Sequence, residues 1–325
     1  MNVSEGRRAE VVAAMTEACR SALLDVHTDP DHNRSVLTLA GSAERVAEAA
    51  FSLAGAAIER IDLSAHTGVH PRLGAVDVVP FVPLDLGRAG GTPSHPGGQA
   101  GAGIKVDPRE DADARVERMP LAGEATGSEL RLAGDVARTW GRRVADELGV
   151  PVFFYGAADP AGRTLPEVRR TAFREREPDV GPNEPHPTAG AVAVGARPVL
   201  VAINCELAVG TGGLDGDLAV ARAVARAVRE RDGGLRGVRA LGFALASKGR
   251  AQVSMNLTDL AATAVEAACE AVRRAAVERG GDVTAVELVG LLPAAELDRC
   301  SGEFLAWSGL SPEVTIEARL AATQA

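Results

Sequence analysis

The chain has 325 residues, 46% of them hydrophobic, enough to bury one or two ordinary cores, and its length makes two domains the better expectation. A net charge of −9 with no basic stripe, and only 3% aromatic residues, exclude nucleic acid as the natural partner, because phosphate neutralisation and base stacking both lack their side chains. No run reaches the roughly 18 apolar residues of a membrane span, the start MNVSEGRRAE lacks the order of a signal peptide, and Cys19, Cys205, Cys269 and Cys300 show neither metal-ligand nor disulfide-framework spacing, so a cytoplasmic protein with no membrane partner is expected.

In chain order, periodicity predicts a helix from about Arg7 to Arg20, strands at Ala22 to His27 and Ser35 to Ala40, a helix from about Ala43 to Arg60, and a strand from Ala75 to Val82. Met1 to Val3 offers only the stump of an opening strand. A helix from about Ser128 to Leu148, closing at Gly149, and a strand at Pro151 to Tyr155 extend this half. The stretch 87–127 is Gly-rich and then charged, without periodicity, and reads as a flexible surface insertion or as a lid over a neighbouring site. Pro178 to Pro187 reads as the inter-domain linker, giving a first subdomain over 1–180 and a second over 187–325.

In the second half, Val199 to Asn204 fits a buried strand, and Asp217 to Arg231 places Leu218, Ala221, Val224, Ala225 and Val228 on one helical face. Val238 to Leu245 and Ala251 to Leu257 alternate apolar with polar residues, and the link Ser247-Lys248-Gly249 makes them an antiparallel hairpin. Thr258 can cap a helix from Asp259 to about Arg279, and Val283 to Leu288 is the last strand. The order βαββαβ is the ferredoxin-like unit, and the first half follows it too. The fold class is therefore α+β, with two tandem ferredoxin-like subdomains, antiparallel or mixed sheets, and helices packed on one face.

Reactive side chains concentrate in IDLSAHTGVHPRLGAVDVVPFVP, where His66, His70 and Arg72 enter the strand that carries Asp77. Gly68 and Pro71 argue against the helix that two histidines at i and i+4 would need to share a metal, and no HExxH pattern is present, so no metal site is expected. A histidine in such a loop is either a solvated side chain or a proton carrier near neutral pH. Asp77, in an otherwise apolar strand, calls for a cationic partner, for which Arg72 and His70 are the candidates. A second polar cluster, Asp31, His32, Asn33 and Arg34, is either a turn with Asx hydrogen bonds or part of a site. Arg163, Arg169 and Arg170 form a third, whose guanidinium forks suit carboxylates unless they simply solvate a helix face. Gly181 to Ala196 lacks the P-loop lysine and the GxGxxG order, which weakens a phosphate site there.

Taken together, these segments resemble the formiminotransferase domain family. Asn2 to Gly6 is similar to its PNFSEG opening, Asn33 to Val36 to its NRTV strand start, and His66 to Val78 to its HxGxHPRxGAxDV block. Val150 to Gly156, Arg163 to Pro166, Gly195 to Arg197 with Ile203-Asn204, Gln252 to Asn256, and Glu287 to Pro293 follow in the family's order. The resemblance implies two ferredoxin-like subdomains and transfer of a formimino group from formiminoglutamate to tetrahydrofolate, giving 5-formiminotetrahydrofolate and glutamate in histidine degradation. It implies His70 as the acid/base residue and His66 as a positioning residue. Arg72 would neutralise a carboxylate or orient His70, and Arg163 and Arg169 would meet carboxylates of substrate or folate. Asp77, Asn33 and Arg34 would contribute to substrate or folate binding, with Gln252 and Asn256 as walls. Tetrahydrofolate would be a co-substrate, with no tightly bound cofactor or metal; the partners would be small molecules, and the chain a homodimer. His27 stands where relatives often carry an acidic residue, and Thr188-Ala189 replaces the tryptophan segment PSWGA. Competing readings are a catalytically altered folate- or amino-acid-binding protein of the same fold, and a transferase or hydrolase for another formimino compound.

Overall fold

The computed structural model describes residues 1–68, 72–84, 125–210 and 213–324. The first half runs through β1 (Asn2–Val3), α1 (Ala9–Ala18), β2 (Leu23–Asp29), β3 (Arg34–Leu39), α2 (Ala43–Arg60) and β4 (Val76–Phe81), then α3 (Gly127–Leu148), β5 (Val152–Gly156), α4 (Leu165–Thr171) and β6 (Val192–Ala196). The sheet order is β2-β3-β1-β4-β6-β5. The first four strands are antiparallel neighbours in ferredoxin-like order, and β6 and β5 extend the sheet in parallel beyond β4. The second half is β7 (Val201–Ala208), α5 (Leu214–Val228), β8 (Val238–Leu245), β9 (Arg250–Leu257), α6 (Val265–Val277) and β10 (Asp282–Val289), with antiparallel order β10-β7-β9-β8. Numbering strands within each unit, both sheets follow the order fourth, first, third, second. Three short helices follow, α7 (Ala294–Asp298), α8 (Gly302–Ser308) and α9 (Ile316–Gln324).

The elements form for local reasons. In α2 the residues Ala49, Ala50, Leu53, Ala54 and Ala57 make one buried stripe, and the Ser42 side chain accepts from the Arg45 N–H at its start. A Thr126–Glu129 capping box opens α3, and Gly149, at φ 65°, closes it. These helices and α1 bury Val11, Met15, Leu53, Trp140 and Val144 against Leu37, Val79, Val152 and Val194 of the sheet. Truncating a side chain as buried as Leu53 to alanine would cost roughly 2–5 kcal/mol. In the second subdomain α5 and α6 cover Ile203, Cys205, Leu207, Val253 and Met255. Alternation then puts Asn204, Glu206, Gln252, Ser254 and Glu287 on the opposite face.

Four expectations need correction. The stump at Asn2–Val3 fills the opening strand's place, paired to Val36 and Ser35 on one side and to Val78 and Val76 on the other. The Pro-rich stretch 178–187 is not the boundary between sheets, because β6 follows it and still pairs with β4 and β5, so the crossing falls between Ala196 and Val201. Helices do not all share one face of the first sheet: α4 packs Val168 against Val78, Phe153 and Tyr155 on the other side. Helix α6 starts at Val265 rather than Asp259, since the Thr258 hydroxyl donates to the Gly237 carbonyl and the buried carboxylate of Glu296 accepts from the Val265 N–H instead. The insertion expected at 87–127 lies outside the described residues except for its last three positions, of which Gly127 begins α3.

Candidate functional site

The loop between α2 and β4 is tied down by its neighbours in space. Asn33, at φ 46°, donates from Nδ2 to the Thr67 carbonyl (2.9 Å) and accepts at Oδ1 from the Gly6 N–H (2.9 Å), joining three segments with one side chain. Its left-handed backbone is one that asparagine tolerates better than most residues. A Cβ on Gly68 would stand 2.6 Å from the His32 carbonyl oxygen, and one on Gly74 only 2.0 Å from the Ala191 oxygen, so both glycines are required by close backbone approach. His70 lies outside the described residues, between Gly68 and Arg72 in sequence. The departure at Thr188-Ala189 is spent on backbone bonds: Thr188 accepts from the Leu63 N–H and Ala189 from the Ala75 N–H.

Arg72 Nη1 contacts both ring nitrogens of His66, Nδ1 more closely and Nε2 at 2.8 Å. Burial first, and the Arg72 charge second, push the His66 imidazole below its ordinary value, so His66 is neutral near pH 7 and can accept from the guanidinium. The buried carboxylate of Asp77 accepts from the Leu73 N–H (2.6 Å) and from Arg169 Nη2. Among the described residues its direct cationic partner is Arg169 from α4 rather than Arg72; His70, the other candidate from sequence, lies outside them. Arg34, at the start of β3, is pulled below the usual arginine value by burial, opposed by the nearby carboxylates of Asp29 and Asp77. Asp29 in turn holds His32: its Oδ2 is 2.5 Å from Nδ1, and its Oδ1 accepts the His32 N–H at 2.9 Å. Burial pushes the Asp29 pKa up, but the hydrogen bonds from the side chain and backbone of His32 outweigh it and hold the group at about 2.

Arg163 has a different setting. Its Nε and Nη2 fork onto the two oxygens of buried Asp159 at 2.6 and 2.9 Å, and its own N–H donates to the same carboxylate. Arg169 meets Asp77 near Arg34 and Arg72, so Arg163 and Arg169, two of the three arginines of the third cluster, have different carboxylate partners. Gln252 and Asn256 share a face of β9, as expected, but Asn256 is exposed while Gln252 is fully buried, with both amide atoms lacking a hydrogen-bond partner among the described residues. An unpaired buried amide is costly and is usually explained by function or a bound group.

The subdomains meet along this polar layer. Asp31 accepts from the backbone and hydroxyl of Ser247 in the β8–β9 turn at 3.0 and 2.5 Å, and the His32 ring packs edge-on to Phe243 with centroids 5.0 Å apart. His27 of β2 faces Glu287 of β10 at 3.7 Å. Sequence reading missed Asp159, Glu206 and Glu287 as partners. For the last two a signal existed, a carboxylate inside an apolar strand, the same signal that picked out Asp77. Among the described residues no group of three or more His, Cys, Asp or Glu side chains could hold a metal ion, and no helix is long and apolar enough to cross a membrane.

Two sheets of ferredoxin-like strand order, with ionised side chains of the two halves facing one another, define a tandem α+β protein. The chain belongs to the formiminotransferase domain family: residues 1–90 and 113–197 match the formiminotransferase domain N-terminal subdomain, and residues 204–311 match the formiminotransferase domain. It is 33% identical to a glutamate formimidoyltransferase of Thermoplasma acidophilum, over 98% of this chain and 95% of that one, and 32% identical to that of Streptococcus pyogenes serotype M1, over 91% and 88%. It is also 33% identical to a formimidoyltransferase-cyclodeaminase of Rattus norvegicus, of which it spans about half, since the match covers 91% of this chain and 50% of the relative.

Proposed function

We propose that this protein is a glutamate formiminotransferase, moving the formimino group of formiminoglutamate to N5 of tetrahydrofolate and releasing glutamate, a step of histidine degradation. The observation that carries the reading is the near end-to-end match with a named glutamate formimidoyltransferase, in a chain whose seam gathers charged groups from both subdomains. Tetrahydrofolate enters as a co-substrate. The chemistry asks for little beyond placement and one proton carrier: N5 attacks the amidine carbon, a tetrahedral intermediate forms, and the glutamate nitrogen leaves once protonated. His70 is the residue of the HPR motif for that exchange, taking the proton from N5 and returning one to the leaving nitrogen. Arg72, two positions further along the chain and paired with neutral His66, supplies a fixed positive charge. Arg34 and Arg169 offer charge to substrate or folate carboxylates, and Gln252 offers a buried donor and acceptor.

The test is to mix the purified protein with formiminoglutamate and tetrahydrofolate and follow the one-carbon folate product, with His70→Ala beside it. Turnover in the wild type that falls at least 100-fold in the variant is expected. Wild-type protein that binds both substrates without turnover would defeat the reading.

A further inference from the structure

His27 and Glu287 approach one another from the two subdomains without bonding. His27 Nε2 is buried and has no hydrogen-bond partner among the described residues, and it lies 3.7 Å from Glu287 Oε1, beyond direct hydrogen-bond distance. The Glu287 carboxylate is oriented from behind: its other oxygen accepts from Asn204 Nδ2 at 2.9 Å, and Asn204 is the buried residue directly opposite it in the β10–β7 ladder. The neighbouring cations have closer carboxylates of their own. Lys248 Nζ pairs with Glu206, and the carboxylates acting most strongly on Arg34 are Asp29 and Asp77. Among the described residues, no arginine or lysine reaches Glu287 at ion-pair distance.

The geometry is that of a carboxylate oxygen and an imidazole nitrogen held side by side across a gap that a nitrogen carrying two hydrogens can bridge. We propose that Glu287 and His27 hold the formimino group of the donor substrate, with Glu287 as the residue that selects formimino over formyl. The inference rests on the formiminotransferase reading. A formimino group is an amidine, cationic when protonated, with N–H donors on both sides of the carbon that is attacked. A carboxylate bound to one terminal N–H keeps that cation protonated and its carbon electrophilic, and the imidazole accepts a second N–H. In the formyl analogue an oxygen replaces the terminal nitrogen, and an acceptor then faces Glu287 Oε1 with no proton between them. Such a pairing is penalised rather than merely lost.

The test is calorimetric binding of N-formimino-L-glutamate and N-formyl-L-glutamate to the full chain, with folic acid present as a folate that does not accept the group. Wild type, Glu287→Gln and His27→Ala are compared. The wild type is expected to favour the formimino ligand at least tenfold. Glu287→Gln keeps the shape and the bond from Asn204, turns an amide N–H toward the gap, and should weaken formimino binding about 10- to 100-fold while strengthening formyl binding and leaving folic acid binding unchanged. His27→Ala should weaken formimino binding severalfold and formyl binding not at all. Undiminished formimino preference in both variants overturns the inference and leaves the transferase reading intact. Loss of folic acid affinity instead also overturns it, placing the carboxylate on the aminopyrimidinone edge of the folate. A wild type that binds neither glutamate derivative brings down both readings.

Discussion

Asp77 and Arg169 lie 92 positions apart in the chain and share one ion pair, which fastens α4 to the strand that follows the His66–Arg72 loop. The Asp77 side chain is 2% exposed and that of Arg169 20%, so the charges are largely removed from water. Removing one partner of such a pair leaves a buried charge uncompensated. Asp77→Asn is expected to lower unfolding free energy by roughly 3 kcal/mol in urea titrations, although the Leu73 N–H can still find an acceptor. A loss below about 1 kcal/mol would show that Arg169 is held elsewhere.

Arg163→Lys separates holding from binding. The fork onto Asp159 uses two nitrogens that a lysine cannot supply together. The variant should lose roughly 1–3 kcal/mol of stability, the value of charged hydrogen bonds, with both substrate Michaelis constants unchanged. A raised Michaelis constant at unchanged stability would instead give this arginine a binding role.

Asn33 ties the Thr67 carbonyl to the Gly6 N–H, so its loss should reach the loop that carries His70. Asn33→Ala removes both hydrogen bonds and places a methyl-bearing residue at φ 46°, whereas Asn33→Gly removes the bonds alone. Both should reduce kcat, and the alanine variant should melt at the lower temperature by the equivalent of about 1 kcal/mol. Equal melting temperatures would mean that the turn relaxes out of the left-handed region.

The places where sequence and structure part share a physical cause. The β8–β9 hairpin and α2 are legible because period 2 and period 3.6 are imposed locally by one buried face, and both follow the pattern nearly to the residue. β6 is not, because a parallel strand at its position needs β4 and β5 alongside it, and nothing in the Pro-rich stretch before it announces those partners. The start of α6 escapes because its capping group, Glu296, comes from a helix 31 residues later. The site shows the same division. That Asp77 requires a partner is readable from one strand, whereas which arginine provides it is decided by the packing of α4. That Glu287 stands out in an apolar strand is readable in the same way, but only the facing of β2 and β10 brings His27 to it.

Asp29 carries a pH signature. Its pKa falls from an ordinary 3.8 to about 2 in the folded chain, where the bonds from His32 outweigh the burial that opposes them. A carboxylate with a depressed folded pKa contributes stability that is complete above its unfolded pKa and is lost as pH falls through the folded one. The shift corresponds to about 2 kcal/mol at neutral pH, by the 1.36 kcal/mol that each unit represents. Asp29→Asn should therefore be less stable than the wild type by about that amount at pH 7, and the difference should shrink between pH 4 and pH 2 as the wild-type carboxylate becomes protonated. Urea midpoints across that range check it. A difference that stays constant down to pH 2 would mean that the substitution acts through lost packing of His32 on Phe243, not through the charge of Asp29.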